Sequence, residues 1–123
     1  MEHVNQLCEG LADTAKDLKL NFSAVLQSEH LNSEEVWAVA LTTSYFLRNA
    51  VLQEAVLADA EPIIGSAGVE DAQAAASLMA MNTIYFRFRH MVGKEVYGQM
   101  RAGLRMNRMM SPATSKHQFE LSA

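Results

Sequence analysis

A chain of 123 residues supplies material for about one domain. Half of it is hydrophobic and 20% charged, which excludes a disordered chain, while a net charge of −4 and a pI near 5.5 speak against a nucleic-acid binder. Apolar runs break up short of the roughly 18–20 residues of a membrane helix, residues 1–20 lack a secretory pattern, and the lone Cys8 permits no internal disulfide, so a reducing cytoplasm is the expected compartment.

Abundant Ala, Leu, Met and Glu with only two prolines and six glycines predict an all-α fold. A short first helix covers residues 3–10 and ends near Gly10. Residues 14–27 form a second, with Leu18, Phe22, Val25 and Leu26 as its apolar stripe. Asn32 and Glu35 stand in capping-box relation and open a third. It is apolar around much of its circumference, hence central, and ends at Arg48-Asn49.

A fourth helix runs from about Val51 to Ala60 and stops at Pro62, because the residue before a proline disfavours helical backbone. Residues 63–68 read as a connection. The longest helix runs from Val69 to about Val92, with small side chains over 71–77 that allow close approach and bulky ones after Met79. Arg87, Arg89 and His90 suit its C-terminal dipole, and Gly93 its C-cap. Gly98, Gly103 and Pro112 break up residues 94–113. Ser115 and Gln118 open a last helix, in which Phe119, Leu121 and Ala123 are apolar. No Gly, Asn or Pro follows it, so the sequence is expected to stop inside a helix and to lack a C-terminal part. The organisation is a bundle of five or six helices.

Charge is divided along the chain. Residues 1–73 hold twelve Asp and Glu against three Lys and Arg; residues 74–123 hold two against seven. Such halves attract within the fold or across a subunit contact, or coat solvated faces. Cys8 sits near Glu2 and Glu9, whose charges oppose a thiolate, so it reads as a small half-buried hydrophobe. His117 and Glu120 share a helix face, but a metal site needs further ligands. Arg101, Arg105 and Arg108 would share a face on a helix and, with Arg87, Arg89 and Lys94, could meet phosphates. Salt bridges to the acidic first half are the plainer role. The methionines from Met79 to Met110 read as irregular core filling.

Glu120 is the most suggestive residue. Flanked by Phe119 and Leu121, it is expected to enter the apolar setting in which a proton relay is built, although a rim carboxylate fits the same residues. There is no Ser-His-Asp set, glycine-rich phosphate loop or cysteine pair, so composition and spacing stop short of a function.

Four stretches carry a resemblance. They are Ala15-Lys16-Asp17-Leu18-Lys19-Leu20-Asn21, Met81-Asn82-Thr83-Ile84-Tyr85-Phe86-Arg87, Gly103-Leu104-Arg105-Met106-Asn107 and Phe119-Glu120-Leu121. In order and spacing they resemble the alkyl hydroperoxide reductase AhpD family of the carboxymuconolactone decarboxylase-like group. The resemblance covers essentially the whole chain. It implies an all-α homotrimer that acts as a disulfide reductase with peroxidase activity. Electrons would come from a dihydrolipoyl-bearing protein and pass to an AhpC-type peroxiredoxin, with no bound cofactor, metal, nucleic acid or membrane. The implied chemistry rests on a CxxC pair, a histidine just after it and a glutamate about one helix earlier, which takes the thiol proton through water and the histidine.

Of these residues only the glutamate carries over, as Glu120. Cys8 matches neither family cysteine, and none of His3, His30, His90 and His117 matches the relay histidine. The resemblance thus implies that residues 1–123 are one incomplete AhpD-like helical domain whose cysteines follow Ala123. Alone it would be inactive and would expose apolar surface, helix 32–48 above all. The competing reading is a non-enzymatic all-α interaction module that binds a partner or itself through its oppositely charged halves.

Overall fold

The computed structural model describes all 123 residues as six α-helices and two 3-10 turns, without strands. These are α1 (Glu2–Glu9), α2 (Lys16–Leu26), α3 (Ser33–Leu47), α4 (Ala50–Val92), α5 (Glu95–Gln99) and α6 (Lys116–Ser122), with 3-10 turns at Asp13–Ala15 and Asn107–Met110. The fold is all-α, as the composition predicts.

The centre is α3. Asn32 Oδ1 accepts from Glu35 N and Glu35 Oε2 from Asn32 N, both at 3.0 Å, so the capping box read from the sequence is formed. At the other end Arg48 takes the left-handed conformation, φ 56°, and stops the helix. Val36, Trp37, Ala38 and Leu41 are buried. Thr42 and Ser44 are buried too, and their hydroxyls donate to the carbonyls of Ala38 and Leu41, which spares them the cost of an unpaired polar group.

The break predicted at Pro62 is elsewhere. Backbone stays helical from Ala50 to Val92 except at Gly65, φ 66° and ψ 178°, a region open essentially only to glycine. Pro62 removes one N–H from the ladder, but the carbonyl it would have served belongs to Ala58, an exposed residue that water can reach. Three residues past the elbow, a Cβ on Gly68 would lie 2.6 Å from Ile64 Cβ. The elbow therefore needs Gly65 for its backbone angle and Gly68 for its space. After it, Ala72, Ala75 and Ala76 are buried in the close approach that the small-residue run predicts, and Gly93, φ 63°, caps the helix.

Val4, Leu26, Val36, Trp37, Leu41, Val56, Ala60 and Ala72 form the core cluster. Asp59, buried on α4, fastens α1 to it. Its carboxylate accepts from Val4 N at 2.8 Å, His3 N at 3.2 Å and His3 Nδ1 at 2.9 Å. Met1, at the N-cap, offers no side-chain acceptor, so Asp59 caps α1 from a different element. Burial pushes the Asp59 carboxyl up, but the Val4 and His3 hydrogen bonds outweigh it and hold the group below its ordinary range.

Several side-chain expectations are corrected. On α2 only Leu26 is buried; Leu18 and Val25 stay exposed, because α2 rests on the core through its C-terminal end. The methionines do not fill the core: Met91, Met100 and Met110 are exposed. Residues 101–106 are not helical, so Arg101, Arg105 and Arg108 share no face, and of the three only Arg108 turns inward. Exposed apolar surface lies less on α3 than on α2 and on α4 beyond Ala80. No helix is long and apolar enough to cross a membrane.

Candidate functional site

The residue singled out by sequence, Glu120, rides on a helix of seven residues, too short to hold by itself. Three features fix it. Ser115 Oγ accepts from Gln118 N at 3.1 Å, the predicted cap. Phe119, 1% exposed, plugs into the interior. The third feature is a clamp just upstream. Asp71, buried on α4, accepts from Ala113 N at 2.9 Å and from Thr114 N and Oγ1, both at 2.7 Å. Arg108 Nε donates to the same carboxylate at 3.1 Å, and Arg108 Nη2 lies 2.9 Å from both Asp71 and Glu70. Burial raises the Asp71 carboxyl, yet the hydrogen bonds from Ala113 and Thr114 prevail and hold it below the usual range. Burial lowers the Arg108 guanidinium, but Asp71 and Glu70 more than compensate, so it is raised.

This clamp joins the acidic first half to the basic second half, the role expected for Arg108. Sequence reasoning missed Asp71 and Asp59. The available signal was a short carboxylate beside small helix-forming residues, Asp71 before Ala72 and Asp59 between Ala58 and Ala60.

Glu120 itself does not enter an apolar environment. Its side chain is 53% exposed, with Oε1 3.6 Å from Lys116 Nζ one helical turn earlier. Phe119 takes the inward position on α6, and the next residue, about 100° around the helix, points to solvent. His117 Nε2 lies 3.3 Å from Glu35 Oε1 and ties α6 to the start of α3. His117 and Glu120 thus face different partners. No three metal-ligating side chains come together. Cys8 is half-buried on α1 against the core. His90 lies in a surface cleft with Arg89 and Lys94. What the site offers chemically is a solvent-accessible carboxylate on a firmly held helix, able to take a proton from a group brought to it.

Fold and site together define an all-α protein that presents one carboxylate on a clamped helix and has no cysteine pair among its 123 residues. The chain belongs to the alkyl hydroperoxide reductase AhpD family. It is 50% identical over 123 residues to the alkyl hydroperoxide reductase AhpD of Anaeromyxobacter sp. (strain K), covering all of this chain and 66% of that protein. It is 47% identical over 121 residues to the protein of the same name from Anaeromyxobacter sp. (strain Fw109-5), and 42% identical over 114 residues to that of Coxiella burnetii (strain Dugway 5J108-111). The chain spans 64–66% of the length of these curated relatives. No family model matches the sequence.

Proposed function

We propose that residues 1–123 are the helical framework and proton-accepting carboxylate of an alkyl hydroperoxide reductase. The observation that carries this reading is 50% identity along the entire chain to a protein of that name. In this reading the redox cysteines and the relay histidine come from outside residues 1–123. Glu120 accepts the proton of the attacking thiol through water and that histidine, which makes the thiolate that attacks the peroxide. The O–O bond breaks as its terminal oxygen passes to the thiolate sulfur and the alcohol leaves, the second cysteine displaces that oxygen as water in closing the disulfide, and a dihydrolipoyl protein reduces the pair. The same pair recycles an AhpC-type peroxiredoxin in a reducing cytoplasm, and the working form is a homotrimer. An exposed Glu120 on a clamped helix suits a base that must meet a histidine carried on another element.

The test has two arms. Purified Met1–Ala123 should not turn over cumene hydroperoxide with dihydrolipoamide. Thiol-dependent turnover by this chain would overturn the division of labour. In a chain extended by the CxxC-bearing helices, Glu120→Gln should lower turnover by about 10²–10⁴-fold, the usual worth of a general base. Unchanged turnover would remove Glu120 from the mechanism.

A further inference from the structure

Residues 1–73 contain a single arginine, Arg48, among twelve Asp and Glu. It makes an ion pair with none of them. It is also the only residue other than glycine with positive φ, 56°. Glycine or asparagine fills such a helix end at lower cost. The chain thus holds a bulky cation where its backbone favours a small residue, and strain of this kind gathers at ligand sites. Arg48 lines a cleft of about 400 Å³ between the C-terminal end of α3 and the part of α4 beyond the Gly65 elbow. That volume falls within the roughly 300–1,000 Å³ of ordinary binding clefts. No carboxylate lines it, although it lies mostly in the acidic half of the chain.

The polar groups of the cleft are donors. Gln73 Nε2 donates to the Tyr45 hydroxyl oxygen at 3.2 Å, which leaves the phenolic proton for another acceptor. Ser77 Oγ donates to the Gln73 carbonyl at 2.9 Å, so its proton is used within α4. Arg48 adds a guanidinium, whose planar fork matches the two oxygens of a carboxylate. The partial negative charge at the C-terminus of α3 opposes an anion, but it is about half of the full charge on Arg48. Phe46, 44% exposed, and the small Ala76 and Ala80 supply an apolar wall beside these donors.

We propose that this cleft binds a small organic carboxylate with an apolar body, about the size of benzoate. The carboxylate lies in the fork of Arg48 and accepts the Tyr45 O–H, Gln73 holds that phenol in place, and the body rests against Phe46, Ala76 and Ala80. A bare inorganic oxyanion would meet the donors and leave the apolar wall unused. A neutral ring would cover the wall and leave the guanidinium unpaired. Only a ligand with both parts uses the whole cleft. The site draws no residue from α6 and does not rest on the peroxidase reading.

Chemical-shift titration of isotope-labelled Met1–Ala123 with benzoate tests it, with inorganic phosphate and benzyl alcohol as comparison probes. Benzoate should shift the amides of Gln73, Ser77 and Arg48 and bind with a Kd of about 1 mM or lower, at least about tenfold tighter than either comparison probe. Arg48→Asn should weaken benzoate at least about tenfold, yet unfold at an unchanged or higher urea midpoint, because Asn tolerates left-handed backbone. Arg48→Lys keeps the charge without the fork and should fall between. Tyr45→Phe should weaken binding about three- to tenfold. Benzoate binding that survives Arg48→Asn overturns the proposal and leaves Arg48 as the end of α3 alone. So does the absence of benzoate binding at millimolar concentration. Phosphate held as tightly as benzoate also overturns it and makes the cleft a bare oxyanion site; benzyl alcohol held as tightly overturns it and makes the cleft an apolar one.

Discussion

Two buried carboxylates on one helix do the long-range stitching. Asp59 takes the first amides of α1, and Asp71 takes the segment that leads into α6. Removing Asp71 leaves three donors unpaired and Arg108 with Glu70 alone, so Asp71→Ala should cost about 2–4 kcal/mol, read as a lower urea midpoint. Asp71→Asn keeps the shape but swaps one acceptor for a donor, and should fall between. The pH dependence has a fixed sign. Both carboxyls are held below their ordinary values in the fold. Their contribution is fully present above the unfolded value of about 3.9 and fades as pH falls through the lower folded values. The stability gap between wild type and Asp71→Asn should thus be constant near neutrality and shrink below about pH 4. Local signals such as Asn32 with Glu35, Ser115 with Gln118, and Gly93 were legible because cap and partner lie within one turn. Asp71 was not, since its partners lie 37–43 residues away.

At the level of elements, α4 separates two ways of interrupting a helix. Proline reads as the stronger stop, yet Pro62 stays within the helix, and the carbonyl it leaves unserved belongs to the exposed residue Ala58. The direction changes at Gly65, whose angles a side chain resists. Pro62→Ala should therefore be neutral or stabilising, while Gly65→Ala should cost about 1–3 kcal/mol in thermal or urea unfolding. The reverse order would place the break at the proline. The sequence shows both residues but not which carbonyls water can reach, and that is why the boundary was misplaced. The exposure of Glu120 is a similar case. Its apolar neighbours are visible in the sequence, but which of them faces inward depends on how α6 lies against α3 and α4.

Across the whole molecule, burial and charge separate along the chain. The first half carries most of the core and the acids; the second carries exposed apolar residues and most of the cations. The all-α class was legible because propensity and period are properties of the sequence itself. The exposed apolar faces were not, because exposure is decided by the packing of the remainder. The site was legible only in part. Family resemblance singles out Glu120, but the clamp that holds its helix is tertiary.

That clamp also imposes an order of events on a growing chain. Asp59 emerges after His3 and Val4, so its partners are waiting and α1 can dock at once. Asp71 emerges 42 residues before Ala113. At about 5–20 residues per second the ribosome leaves this carboxylate without its partners for roughly 2–8 s. During that interval the alanine-rich face of α4 can settle on α3 only with a charge at its edge that must stay hydrated. The clamp thus makes the seating of α6 a late step, and synonymous changes that slow translation between codons 71 and 113 would lengthen the time the half-built molecule waits.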